Sequence, residues 1–159
     1  DKLISGEKTV EIRKSSPVRL FGEIAQGRAV VAYLIPSGSK CVEAVAAFGR
    51  FDLFDPNADL ERLAKRARLP INLAWNLHGT DIDLIAKRAC LSMDTLRAYI
   101  GEAVGHAWHL LRPAERFVRP IPLSLTGIHH VPQSWQYIDR NSEFCIAMEN
   151  LRNKKETQQ

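Results

Sequence analysis

The N-terminal segment carries the densest set of side chains that could do chemistry. Apolar and polar residues alternate over 8–13, which predicts a half-buried β-strand with Val10 and Ile12 on one face. The opposite face would carry Thr9, Glu11 and Arg13, with Lys8 at its edge. Arginine matches a phosphate or a nucleobase edge with a planar fork, and lysine adds a point charge. In a cleft this group could grip a nucleotide, whereas on an open surface it would be a solvated ion pair.

The composition is that of an ordinary globular protein. A chain of 159 residues is long enough for one domain with a sizeable insertion, and 45% hydrophobic residues argue against disorder. The net charge of +4 permits a nucleic-acid partner without demanding one, and the positive excess lies in the first third of the chain. No apolar run is long enough for a membrane helix, and no leader for secretion is present. Three cysteines without a C-x-x-C pair disfavour a disulfide framework and predict a cytoplasmic protein.

The spacing of apolar residues changes along the chain, and so do the elements predicted to position these side chains. Residues 28–35 and 41–51 read as two strands joined by a short Pro/Gly/Ser turn, which suggests a hairpin. Apolar residues at helical spacing then predict a helix from Pro56 to Pro70. A second helix follows, with Thr80 or Asp81 as its N-cap, and a third begins after Ser92 and ends at Gly101.

The last third returns to extended segments. Residues 106–111, 117–125 and 135–138 read as strands, and Pro120 and Pro122 place the middle one at a sheet edge or bulge. Residues from 150 onward read as a polar, frayed tail. Strands on either side of a helical middle favour an α+β fold, with a small β-barrel or curled sheet and a helical insertion at about 55–103.

A family resemblance rests on residues 5–13. This segment resembles the G-x-K-x-x-E-x-R signature of ASCH domains, which are relatives of the PUA RNA-binding fold. Residues 92–108, 119–123 and 131–138 are similar to later segments of that family and occur in its order. The resemblance implies one PUA-like β-barrel domain over 1–150, followed by a polar tail over 151–159. ASCH domains usually open with a strand before this motif, but only five residues precede Gly6 here, and residues 55–80 are longer and more helical than the family pattern.

The resemblance implies a domain that binds RNA or a modified nucleobase or nucleotide. The motif lines the binding cleft of that family, so Lys8 and Arg13 would hold a phosphate or an exocyclic carbonyl. Glu11 would accept a hydrogen bond from a base amino group or orient Arg13. Thr9 and Trp135 complete the expected ligand-binding set, with Trp135 as a stacking surface. We expect no metal and no cofactor, and the oligomeric state stays open.

Two further functions remain as alternatives. One is a metal-independent hydrolase, with Lys8, Glu11, Ser134 and Tyr137 as catalytic candidates. One ASCH branch deacylates cytosine nucleosides with a lysine and a threonine three residues later, a place that Glu11 takes here. Another branch cleaves single-stranded RNA with lysine, tyrosine and serine, for which Ser134 and Tyr137 are the candidates.

The other alternative is a transcriptional regulator that binds DNA. Residues 85–100 fit a helix-turn-helix spacing, with Thr95 and Arg97 placed to contact base edges. Ordinary packing of two helices explains the same pattern. His106 and His109 would lie on opposite faces of a strand, which is poor for chelation.

Overall fold

The computed structural model describes residues 2–15, 18–55, 81–128, 130–131, 137–139 and 141–156. These residues form helices together with a sheet whose strand pairs are antiparallel, which confirms the α+β class. In chain order the elements are α1 (Lys2–Ser5), β1 (Val10–Arg13), α2 (Val18–Ala25), β2 (Val30–Leu34), β3 (Cys41–Phe54), α3 (Ile82–Arg88), α4 (Met93–Ile100), β4 (Gly105–Leu110), β5 (Glu115–Pro122), a 3-10 turn (Leu123–Leu125) and α5 (Glu143–Glu156). None of the helices in this part of the chain combines the length and the apolar character needed to cross a bilayer.

The five strands form one sheet in the order β1-β4-β3-β2, and β5 pairs with β3 outside this path. Strand β4 runs antiparallel to both β1 and β3. A barrel requires its first and last strands to pair, but within the described residues β1 and β2 remain separate ends of the path. The predicted closed barrel is therefore wrong, and the chain has an open sheet.

The chain divides into two compact units that share β3. The first consists of residues 1–32 and 46–115. Its core joins the face of β1 that carries Val10 and Ile12 to the apolar faces of α3 and α4. Gly105 admits this packing, because a Cβ there would lie 2.3 Å from the ring of Phe54. The buried members are Val10, Ile12, Phe54, Ile85, Ala86, Ala89, Leu96, Ile100 and Ala107.

Local hydrogen bonds cap α3 and α4 as the sequence predicted. The Asp81 carboxylate accepts from the backbone N–H of Leu84 at 3.0 Å and caps α3. The Ser92 hydroxyl accepts from the Thr95 N–H at 3.1 Å and caps α4, which ends at Gly101 with φ 59°. The alternative cap Thr80 and the helix predicted from Pro56 to Pro70 lie outside the described residues.

The second unit consists of residues 33–45 and 116–159. Its core gathers Val42, Leu123, Phe144 and Met148, and the ring of Phe144 meets that of Tyr33 edge-on at 4.9 Å. The α5 residues Phe144 and Met148 are four apart, so both point to this core from one helix face.

Three sequence predictions fail in this second unit. Strand β5 ends at Pro122, and Leu123–Leu125 is a 3-10 turn instead of more strand. Tyr137 and Ile138 belong to no strand, while residues 135–136 lie outside the described part. Helix α5 runs to Glu156, where a frayed tail was predicted from residue 150, because packing of its apolar face stabilises a helix whose C-terminal half is polar.

Candidate functional site

A short loop between α1 and β1 positions Lys8. Gly6 adopts φ 82°, a left-handed conformation that glycine adopts most readily, and a Cβ at this position would lie 3.1 Å from the Pro113 side chain. The chain then folds back so that the Lys8 N–H donates to the Lys2 carbonyl at 3.0 Å. The glycine of the motif therefore has a conformational role in this loop.

The same loop is attached to its neighbours through backbone bonds around Thr9. The Thr9 N–H donates to the Arg88 carbonyl at 2.9 Å, and the Thr9 carbonyl accepts from Leu110 at 2.9 Å. Cys90 is a turn residue with φ 57°, and its thiol lies 3.4 Å from the Glu7 carbonyl oxygen. These contacts hold the start of β1, while the Thr9 side chain is exposed.

Lys8, Glu11 and Arg13 come together as a charged cluster, the name used below for these three residues. The Lys8 Nζ lies 2.6 Å from Oε2 of Glu11, and the Arg13 Nε lies 3.0 Å from its Oε1. The side chain of Glu11 is 16% exposed, while those of Lys8 and Arg13 are 24% and 36% exposed. Each carboxylate oxygen thus faces a different cation, and the cluster keeps one net positive charge at a half-buried position.

Strand β4 lies beside the charged cluster. In the β1–β4 register Glu11 is opposite Trp108 and Arg13 is opposite His106, so these four side chains share one face of the sheet. Trp108 is buried and meets the rings of Phe48 and Phe51 edge-on at 5.4 and 5.0 Å. The cluster therefore adjoins a tightly packed aromatic group. No local pattern in the sequence identifies His106 and Trp108 as neighbours, because strand pairing is not local.

His106 has an unusual environment for a titratable group. Burial lowers its pKa to about 4, so the imidazole is neutral at physiological pH. Its Nδ1 atom is buried and has no hydrogen-bond partner among the described residues. His109 lies opposite Val10 and therefore on the other face of the sheet, as the sequence predicted.

A second charged group lies on that other face. Asp52 is 7% exposed, and its two oxygens contact Arg50 Nε at 2.7 Å and His109 Nε2 at 2.8 Å. Burial raises the Asp52 pKa, but the contacts with His109 and Arg50 outweigh it and leave the pKa below its usual value.

Of the remaining predicted site residues, Ser134 and Trp135 lie outside the described residues. Tyr137 belongs to the second unit, where it is 43% exposed. It lines an open cavity of about 270 Å³ together with Thr126, Gly127, Ile128, Ile138, Asp139, Ser142, Glu143 and Phe144.

Residues 85–100, which the sequence offered as a helix-turn-helix, fall on the consecutive helices α3 and α4. Arg97 is exposed on α4, and the Thr95 hydroxyl lies 2.7 Å from that of Ser92. Thr95 is thus engaged at the start of its own helix. Contact of these residues with DNA stays a prediction.

Comparison with known proteins connects this architecture to one family of structures. The ASCH protein from Zymomonas mobilis has a TM-score of 0.58 and 20% sequence identity, over 94% of this chain and 86% of that one. A serine-to-alanine and a tyrosine-to-phenylalanine variant of the same protein match at the same TM-score and identity, over 94% of this chain and 87% and 88% of theirs. The chain has an ASCH-like fold.

This fold confirms the expectation that the N-terminal motif raised. The sequence matches no protein-family model. It also matches no curated protein. In the ASCH-like domain, the motif residues Lys8, Glu11 and Arg13 form one cluster with two partly exposed cations, a chemistry that can hold an anion or a base carbonyl.

Proposed function

We propose that this ASCH-like domain binds RNA or a modified nucleobase or nucleotide through the charged cluster. The observation that carries the proposal is the division of the Glu11 carboxylate between Lys8 and Arg13. The carboxylate holds both cations within reach of one ligand, as a phosphate oxygen or a base carbonyl would require. A fixed pair of cations loses less conformational freedom on binding than two independent side chains.

The donors of Arg13 support this arrangement. Its Nε faces Glu11, and a guanidinium has four further N–H donors with which to bind a ligand. Partial burial of the cluster reduces screening by salt, so each contact is worth more than one on an open surface. The net positive charge favours a ligand that carries a phosphate, and Glu11 is placed to accept from a base amino group or to keep Arg13 oriented.

The test is binding of a short labelled single-stranded RNA and of cytidine 5′-monophosphate, measured in EDTA. Lys8→Ala and Arg13→Ala are each expected to weaken binding by roughly tenfold, the loss of one charge-assisted hydrogen bond. Lys40→Ala is the matched control, because Lys40 is an exposed cation of the second unit. Wild-type protein that binds neither probe, or a Lys8→Ala variant that binds as wild type, would contradict the proposal.

A metal-independent hydrolase is the second candidate, and one observation favours it. The 2.6 Å contact between Lys8 Nζ and Glu11 Oε2 joins a proton donor to a carboxylate, which is a pairing that acid–base chemistry uses. The solved Zymomonas mobilis variants replace a serine and a tyrosine, the residue types of Ser134 and Tyr137 here. Incubation of the wild-type and Lys8→Ala proteins with the RNA in EDTA, and with N4-acetylcytidine in parallel, tests this candidate. Lys8-dependent cleavage of either substrate would make the protein an enzyme.

A further inference from the structure

His106 is a polar neighbour of the charged cluster on the adjacent strand β4. It is directly opposite Arg13, and side chains that face each other in an antiparallel pair have Cβ atoms about 4.5–5.5 Å apart. On its other side it is opposite Leu53, which is buried. The imidazole therefore lies between an apolar residue and the cation that we propose holds the ligand.

The state of this imidazole is suited to recognition rather than to charge pairing. It is partly buried and neutral at physiological pH, so it offers one N–H donor and one lone pair instead of a second positive charge beside Arg13. Its Nδ1 has no partner among the described residues, although a buried polar atom normally has one. Such an atom in a folded protein requires an explanation, and a ligand or a bound water is one.

We propose that His106 contacts the nucleobase of the ligand. The inference rests on the proposed function of the charged cluster and assigns the ligand chemistry more narrowly. Arg13 supplies donors, Glu11 supplies acceptors and neutral His106 supplies one of each, which together match the mixed donor and acceptor edge of a base. A phosphate has acceptors only and needs no such residue.

Two variants and two probes test this assignment. His106→Leu removes the hydrogen-bonding atoms and keeps an apolar side chain, whereas His106→Gln keeps a neutral donor and acceptor. Cytidine 5′-monophosphate carries a base, and ribose 5-phosphate is the matched probe without one. We expect His106→Leu to weaken binding of the nucleotide about tenfold, as for one lost hydrogen bond, and to leave binding of ribose 5-phosphate unchanged. His106→Gln should bind the nucleotide within about threefold of wild type.

Two results would overturn the assignment of His106 alone. In one, wild type binds the nucleotide and His106→Leu binds it equally well. In the other, His106→Leu weakens both probes by the same factor, which is the mark of a purely structural role. Wild-type protein that binds neither of these probes nor the single-stranded RNA would instead refute the function proposed for the cluster itself, so the two failures are distinguishable.

Discussion

Glu11 is the residue on which the charged cluster depends. Lys8 and Arg13 would repel each other without the carboxylate that lies between them at 2.6 and 3.0 Å. Glu11 and Arg13 are two positions apart on β1, so the alternation of the local sequence is enough to place them on one face. Lys8 precedes the strand and reaches Glu11 from the loop that Gly6 turns, so its contact with Glu11 depends on that loop as well as on the alternation.

His106 and Trp108 show where such prediction ends. Their places opposite Arg13 and Glu11 are set by the β1–β4 register, which joins residues almost a hundred positions apart. A shift of one residue in that register would turn both side chains to the other face. The sequence indicates a strand at 106–111 but contains no local signal for its partner, so these neighbours became visible only in the structure.

The neutral state of His106 predicts a dependence of stability on pH. Its pKa is about 4 in the folded protein against the ordinary 6.5 of a solvated histidine, so between these pH values the unfolded chain binds more protons. The contribution of His106 is therefore fully present above pH 6.5 and is lost as the pH falls towards 4. We expect His106→Gln to lose less stability than wild type between pH 7 and pH 4.5, as measured by urea unfolding. Parallel profiles for the two proteins would contradict this.

At the scale of elements, prediction succeeded where the determinants are local. Asp81 and Ser92 cap their helices through their own side chains, and Gly101 ends α4 with a positive φ. The prediction of strand through Leu123–Leu125 was wrong because Pro120 and Pro122 favour extended backbone and do not indicate that the strand stops there. Helix α5 was not predicted because most of its residues are polar and only two apolar residues pack against the core. Ser142 followed by Phe144 and Met148 was nevertheless a usable helix signal.

The role of packing in α5 is directly testable. Met148 is fully buried in the core of the second unit, whereas Ile146 on the same helix is 51% exposed. Met148→Ala is expected to lower the free energy of unfolding by about 2–5 kcal/mol, because it removes buried surface and leaves a cavity. Ile146→Ala, the matched control, should change it by roughly 0.5 kcal/mol or less. Chemical denaturation followed by circular dichroism measures both, and equal effects would show that α5 is not held by this face.

At the scale of the whole molecule, the family resemblance predicted a β-barrel, whereas the described strands form a sheet that is not closed into one. The ASCH-like fold is confirmed, but within the described residues the sheet order β1-β4-β3-β2 leaves β1 and β2 as separate ends. Individual strands can be predicted from alternation, whereas closure depends on shear and stagger between strands far apart in sequence. The predicted boundaries of a single domain at 1–150 stay a prediction.

The overall charge bears on how the cluster would bind nucleic acid. With 22 basic and 18 acidic side chains the whole chain is only mildly positive, so strong attraction to phosphates must come from local groups such as Lys8 and Arg13.

Each cation that neutralises a phosphate of a single strand contributes about −0.7 to the slope of log K against log salt. Lys8→Ala and Arg13→Ala should therefore each reduce the steepness of that slope by about 0.7, while Lys40→Ala should leave it unchanged. Fluorescence anisotropy with labelled single-stranded RNA over a salt series measures the slopes. Equal slopes in all four proteins would mean that the cluster does not meet the phosphate backbone, and the positive charge of the molecule would then have to act elsewhere.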